Sequence, residues 1–251
     1  MHSQKVIAVD LDGNAETVAT VPGDPSGLGW LPDGRLLIVS MKDRRLLRLD
    51  PAGLTEVADL SAIAAYHCND MVVDAQGRAY VGNFGFDLHS GAAPAKASLA
   101  LVHPDGRTEV AARDLSFPNG TVITPDGRTL IVGESFGACL TAFDVADDGG
   151  LSGRREWARL EGAVPDGICL DAEGAIWVAS PVSGAVLRVR EGGEVIQRID
   201  VELEAFACML GGPEGKTLFI CTAAESDPEK TGDRRGRIER IDVEVARAGL
   251  P

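Results

Sequence analysis

The chain has 251 residues, of which 45% are apolar and only 5% aromatic, enough for a large core in one fold. Its formal charge of −14 repels phosphate backbones and argues against a nucleic-acid partner. No apolar run reaches membrane-spanning length and "MHSQKVIAVDLDG" at the N-terminus lacks an apolar signal core. The expectation is a soluble cytoplasmic protein with no membrane partner.

In chain order, "KVIAVDLDGNAETVATV" (5–21) predicts two outer strands hinged at Asp12-Gly13. The two inner strands that should precede them are absent. Five similar segments follow: "GLGWLPDGRLLIVS" from Gly27, "DMVVDAQGRAYVGN" from Asp70, "GTVITPDGRTLIVG" from Gly120, "GICLDAEGAIWVAS" from Gly167 and "CMLGGPEGKTLFIC" from Cys208. Their turn glycines, Gly34, Gly77, Gly127, Gly174 and Gly215, lie 43, 50, 47 and 41 residues apart. A period of that size is the mark of propeller blades. Between the repeats, 45–50, 99–112, 185–201 and 237–245 alternate apolar with polar residues, as half-buried outer strands do. No long helical stripe occurs.

The fold expected is therefore all-β: a six-bladed β-propeller with an incomplete first blade, residues 1–251 forming one domain. The polar stretches 89–98 and 225–236 read as surface loops. The open edge of the first blade invites pairing with a second copy of the chain. Cys68, Cys139, Cys169, Cys208 and Cys221 are odd in number and form no Cys-x-x-Cys; they read as buried free thiols in a reducing compartment.

In a propeller, residues just before the inner strands converge on a central channel. Those positions hold Ser26, Asn69, Asn119, Asp166 and the Phe206/Cys208 region. Amide and carboxylate oxygens from separate strands suit a hard divalent cation. The plainer reading is that each caps a turn, as Asn-Gly and Asp-Gly often do. His67 reads as a polar wall residue or a hydrogen-bonded loop histidine. Phe84, in "NFGF", and Glu134, in "VGES", follow second strands and are candidate substrate contacts. The run after Asn83 is long enough for a lid over the mouth, or is an ordinary loop.

"CNDMVVDAQGRAYVGN", "PNGTVITPDGRTLIVGES" and "PDGICLDAEGAIWVAS", in this order and at blade spacing, resemble the signature blades of the senescence marker protein-30/gluconolactonase/luciferin-regenerating-enzyme family, regucalcin among its members. The resemblance covers nearly the whole chain. It implies a six-bladed propeller with one divalent metal, calcium first and zinc, magnesium or manganese as alternatives. It implies Asn69, Asn119 and Asp166 as ligands, Asp166 also as the acid–base group, and Asp70 close by. The implied activity is hydrolysis of a small lactone by a metal-activated water. The family's fourth ligand, a glutamate in Glu-Gly-Pro or Glu-Ser-Pro, has no counterpart here, and the text from Met1 resembles the family's just after that segment. His67 stands where sugar-lactone members carry a substrate-facing arginine. No Gly-x-Ser-x-Gly elbow is present, which argues against a serine hydrolase. The alternative is a non-catalytic propeller that binds a metal or small ligand and has lost its fourth ligand.

Overall fold

The computed structural model describes residues 3–226 and 236–248. Regular structure among them is β, apart from two 3-10 turns at Ser135–Gly137 and Pro181–Ser183. The first sheet pairs β1 (Lys5–Val9) with β2 (Ala15–Thr20). Blade one is β3 (Pro25–Trp30), β4 (Leu36–Ser40), β5 (Arg45–Asp50) and β6 (Gly53–Asp59). Blade two is β7 (Cys68–Val73), β8 (Ala79–Asn83), β9 (Ala97–Val102) and β10 (Thr108–Leu115). Blade three is β11 (Pro118–Ile123), β12 (Thr129–Glu134), β13 (Cys139–Val145) and β14 (Leu151–Arg159). Blade four is β15 (Ile168–Leu170), β16 (Ile176–Ser180), β17 (Ala185–Val189) and β18 (Val195–Asp200). Blade five has three strands, β19 (Glu204–Gly211), β20 (Thr217–Ala223) and β21 (Arg237–Asp242). Every blade is an antiparallel meander in chain order.

The five turn glycines of the repeats all have positive φ, from 67° to 85°, the left-handed position that follows a tight turn in hairpin loops of three or more residues. The expectation of six blades is corrected. Among the described residues there are five blades, because residues 5–21 supply only a two-stranded ribbon. That ribbon turns at Gly13, with φ 86°, and buries Val6, Ala19 and Val21 against Leu36 and Ile38 of blade one. Two strands alone bury too little surface to be stable, so this packing holds the ribbon in place.

The chain divides into two compact units, one ending at Leu115 and one beginning at Ser116. The first contains the ribbon and blades one and two. Its main core joins Leu37, Val39 and Leu46 to Met71, Val81 and Val102. The second contains blades three to five. One of its cores joins Ile131, Leu140 and Trp157 to Ile168, Ile176 and Leu187, and another joins Trp177 and Val186 to Leu210, Leu218 and Ile220. Strands β4, β8 and β16 are buried along their whole length, since each lies between two packed faces. Truncating one such leucine to alanine costs about 2–5 kcal/mol.

Within each unit, inner strands of neighbouring blades meet backbone to backbone. A Cβ on Gly27 would stand 2.7 Å from Met71 N, and one on Gly120 would stand 2.4 Å from Asp166 O. Only glycine permits that approach. The stretch 89–96 is exposed, as a surface loop should be. The loop expected at 225–236 falls mostly outside the described residues. All five cysteines are free; four are buried and Cys221 is exposed.

Candidate active site

In the first unit, the site residues cluster around the start of β7 and the end of β8. Asn69 is 7% exposed, and its backbone carbonyl accepts a hydrogen bond from Ser26 Oγ at 2.7 Å. Asp70 is half-buried among dense protein, and its Oδ1 accepts from its own neighbour's backbone, Met71 N, at 2.8 Å. Burial pushes the Asp70 carboxyl up to about 6, against the pull of that one donor.

His67 stacks on Tyr66 with ring centroids 4.1 Å apart and meets Phe84 edge-on at 5.9 Å. Burial, and after it the Lys42 ammonium, hold the His67 imidazole below its ordinary range, so it is chiefly neutral at pH 7. Phe84 N donates to His67 O at 2.9 Å, which ties the end of β8 to the start of β7. Asn83 holds the following turn: Nδ2 donates to Ser98 O at 2.6 Å and Oδ1 accepts from Gly85 N at 3.0 Å. Phe84 and Phe86 are buried, so the segment expected as lid or loop begins packed into its blade. Exposure starts at His89.

In the second unit, Asn119 and Asp166 lie at the starts of neighbouring inner strands. Gly120 N donates to Asp166 O at 3.1 Å, and Asp166 N donates to Ala179 O at 2.9 Å. Asn119 is 7% exposed and Asp166 is half-buried. A proline precedes each, Pro118 and Pro165, fixing φ where the chain enters the strand. The side chain of Asn119 donates through Nδ2 to Ser135 Oγ at 3.2 Å.

Glu134 is buried and bonded on both oxygens. Ser116 N donates to Oε2 at 2.6 Å; Thr141 Oγ1 at 2.6 Å and Arg154 at 2.9 Å meet Oε1. It lines a cavity of about 420 Å³ with Ser116, Thr141, Arg154, Arg155 and Arg159. Its carboxylate is thus committed to protein donors. Ser135 was not singled out by sequence; its only signal is its place after the strand-ending Glu134.

The donor types fit a hard cation: amide oxygens on Asn69 and Asn119 and carboxylates on Asp70 and Asp166. Among the described residues, no three or more His, Cys, Asp or Glu side chains gather as a metal cluster. A thiolate- or imidazole-built zinc site is therefore not supported. The amides are what would complete an oxygen-donor set.

These features define a β-propeller protein with amide and carboxylate groups opening its inner strands. The chain belongs to the SMP-30/gluconolactonase/LRE-like family, whose pattern matches residues 1–224. It is 30% identical to regucalcin of Danio rerio over 175 residues, 68% of this chain and 59% of that protein. The chain thus spans about three fifths of the length of that relative. It is 26% identical to pentonolactonase XacC of Haloferax volcanii over 243 residues, 92% of this chain and 77% of the relative. Among solved structures, the calcium-binding protein regucalcin from Agrobacterium tumefaciens superposes with a TM-score of 0.81 at 25% identity, covering 99% of this chain and 85% of that one. No helix among the described residues is long and apolar enough to cross a membrane.

Proposed function

We propose that the protein hydrolyses a lactone, with Asn69, Asn119 and Asp166 holding one divalent cation, calcium in the first place. The observation that carries this reading is the 3.1 Å bond from Gly120 N to Asp166 O, which brings the backbone after Asn119 against that of Asp166 at the starts of two neighbouring inner strands. The Asn69 position in the first unit is its repeat equivalent, and the kinship with a pentonolactonase supports the substrate class.

The bound cation would supply Lewis acidity, drawing charge from the ester carbonyl as it becomes an oxyanion. Asp166 takes a proton from the attacking water as its oxygen bonds to the carbonyl carbon. The ring C–O bond then breaks, and the leaving alkoxide takes the proton back, giving a hydroxy acid. His67, stacked on Tyr66 and neutral, faces the lactone with Phe84 behind it, while Asp70 borders the cation. Glu134 acts from behind, by holding Ser116, because its oxygens are taken. The β1–β2 ribbon is best read as the outer half of a sixth, incomplete blade.

The test is a pH-indicator assay over a lactone panel, with calcium, comparing the parent with Asp166→Ala. Turnover in the parent and its loss in the variant is the expected result. Equal turnover in both sinks the catalytic reading. Calcium binding with no turnover on any lactone favours a binding protein instead.

A further inference from the structure

Ser135 opens the 3-10 turn that follows β12 and is 8% exposed. Its hydroxyl has two partners. It lies 2.7 Å from the carbonyl oxygen of Pro165 and 3.2 Å from the side-chain nitrogen of Asn119. A hydroxyl has one proton to give and two lone pairs to accept with. The Pro165 carbonyl carries no proton, so the Ser135 proton goes to it. Only lone pairs remain on Oγ, and Asn119 must therefore meet them with an N–H. Its amide cannot be turned the other way, since Oδ1 would then face a lone pair. The assignment follows from the network and needs no direct sight of hydrogens. Oδ1 is left on the side of the amide away from Ser135, and no described side chain donates to it.

The backbone is shaped for this contact. A Cβ on Gly133 would stand 3.1 Å from Pro165 Cβ, so glycine there lets the end of β12 close on the Pro165–Asp166 segment. Ser135 N donates to Phe117 O at 3.1 Å, and Phe117 has φ 63°, a conformation that a bulky L-residue rarely adopts. Strain of that kind persists only where surrounding contacts enforce it. Here they are the Ser135 bond to Phe117 and the Glu134 bond to Ser116.

We infer that Ser135 is a positioning residue: its hydroxyl locks the Asn119 amide with oxygen outward, as a cation requires, and ties Asn119 to the Pro165–Asp166 segment. This rests on the reading of Asn119 and Asp166 as cation ligands. A neutral hydrogen bond contributes on the order of 1 kcal/mol, and a factor of ten in affinity is about 1.4 kcal/mol. The expected effect of losing it is thus about fivefold in affinity.

The experiment is calorimetric titration of calcium chloride into the full chain, for the parent, Ser135→Ala, Ser135→Thr and Asn119→Ala, with cation-free melting curves for each. Ser135→Ala is expected to weaken calcium binding about fivefold, and Ser135→Thr, which keeps the hydroxyl, to stay within about twofold of the parent. Should Ser135→Ala not fold, Ser135→Cys, similar in bulk with a weaker donor and acceptor, is expected to show the same direction of loss. Parent-like affinity in Ser135→Ala or Ser135→Cys, or equal loss in the alanine and threonine variants, overturns the inference. Asn119→Ala separates the two levels. If it binds like the parent, the ligand reading itself fails; if it alone loses binding, that reading stands and the role of Ser135 falls.

Discussion

The two compact units make the same seam by different means. In the first, β3 meets β7 through Gly27, and Ser26 Oγ holds the Asn69 carbonyl. In the second, β11 meets β15 through Gly120, whose N–H holds the Asp166 carbonyl. The backbone approach is common to both because the repeat dictates it. The side chains differ. Asp70 keeps one donor, from its own neighbour's backbone, whereas Glu134 has three, from Ser116, Thr141 and Arg154. Ser40, which ends β4, is buried with no partner for its hydroxyl, whereas Ser180, which ends β16, accepts from Val164 N at 3.0 Å. Buried Glu134 and half-buried Asp70 thus differ in their donors. Glu134 is held on both oxygens, and Asp70 has a single backbone donor, which is what its proposed place beside the cation asks for.

The comparison can be broken most forcefully at the seam. Gly120→Ala puts a Cβ 2.4 Å from a backbone oxygen that cannot retreat, and overpacking of this kind costs 1–3 kcal/mol or more. We expect a loss of about 3 kcal/mol in denaturant unfolding. Gly27→Ala, with 2.7 Å to Met71 N, should cost nearly as much. Parent-like stability in either would mean that the seam is looser than described.

Glu134→Ala comes next. It strands a buried N–H and a hydroxyl, each costing about 1–3 kcal/mol unpaired, while half-exposed Arg154 turns to water at little cost. A loss of about 2–3 kcal/mol is expected. Asp70→Asn, by contrast, removes a poorly satisfied charge and should change stability by less than about 1 kcal/mol while lowering lactone turnover. If the two carboxylates cost the same, the distinction between them is void.

The smallest effect sharpens the contrast between the serines. Ser180→Ala should cost about 1 kcal/mol, since it orphans Val164 N. Ser40→Ala loses no bond and should fall within about 0.5 kcal/mol of the parent, in the same melting assay.

Much of the fold was legible because its signals are local. The turn glycines need positive φ, a demand written in adjacent residues, whereas 185–189, expected as part of a half-buried strand, is buried at every position but Arg188. The ribbon at 5–21 was read from the same cues, including its hinge. The blade count was not, because the two strands of 5–21 were expected to count as a sixth, incomplete blade, and they form a ribbon of two strands alone. The roles of Glu134 and Ser135 were hidden for another reason. Their partners lie 7 to 30 residues away on other strands, so the sequence shows an acid and a hydroxyl but not what they bond. Asn119 and Asp166 stood out only because the repeat puts them at matching positions; Asn69 was found the same way.

The central claim is that Asn69, Asn119 and Asp166 hold a single cation. Its most direct test is the calcium stoichiometry of the purified full chain after equilibrium dialysis, measured for the parent and for Asn69→Ala, Asn119→Ala and Asp166→Ala, each checked as folded. The account predicts one calcium per chain in the parent and a large loss of bound calcium in all three variants. A parent that binds none, or any one variant that binds as the parent does, would contradict it.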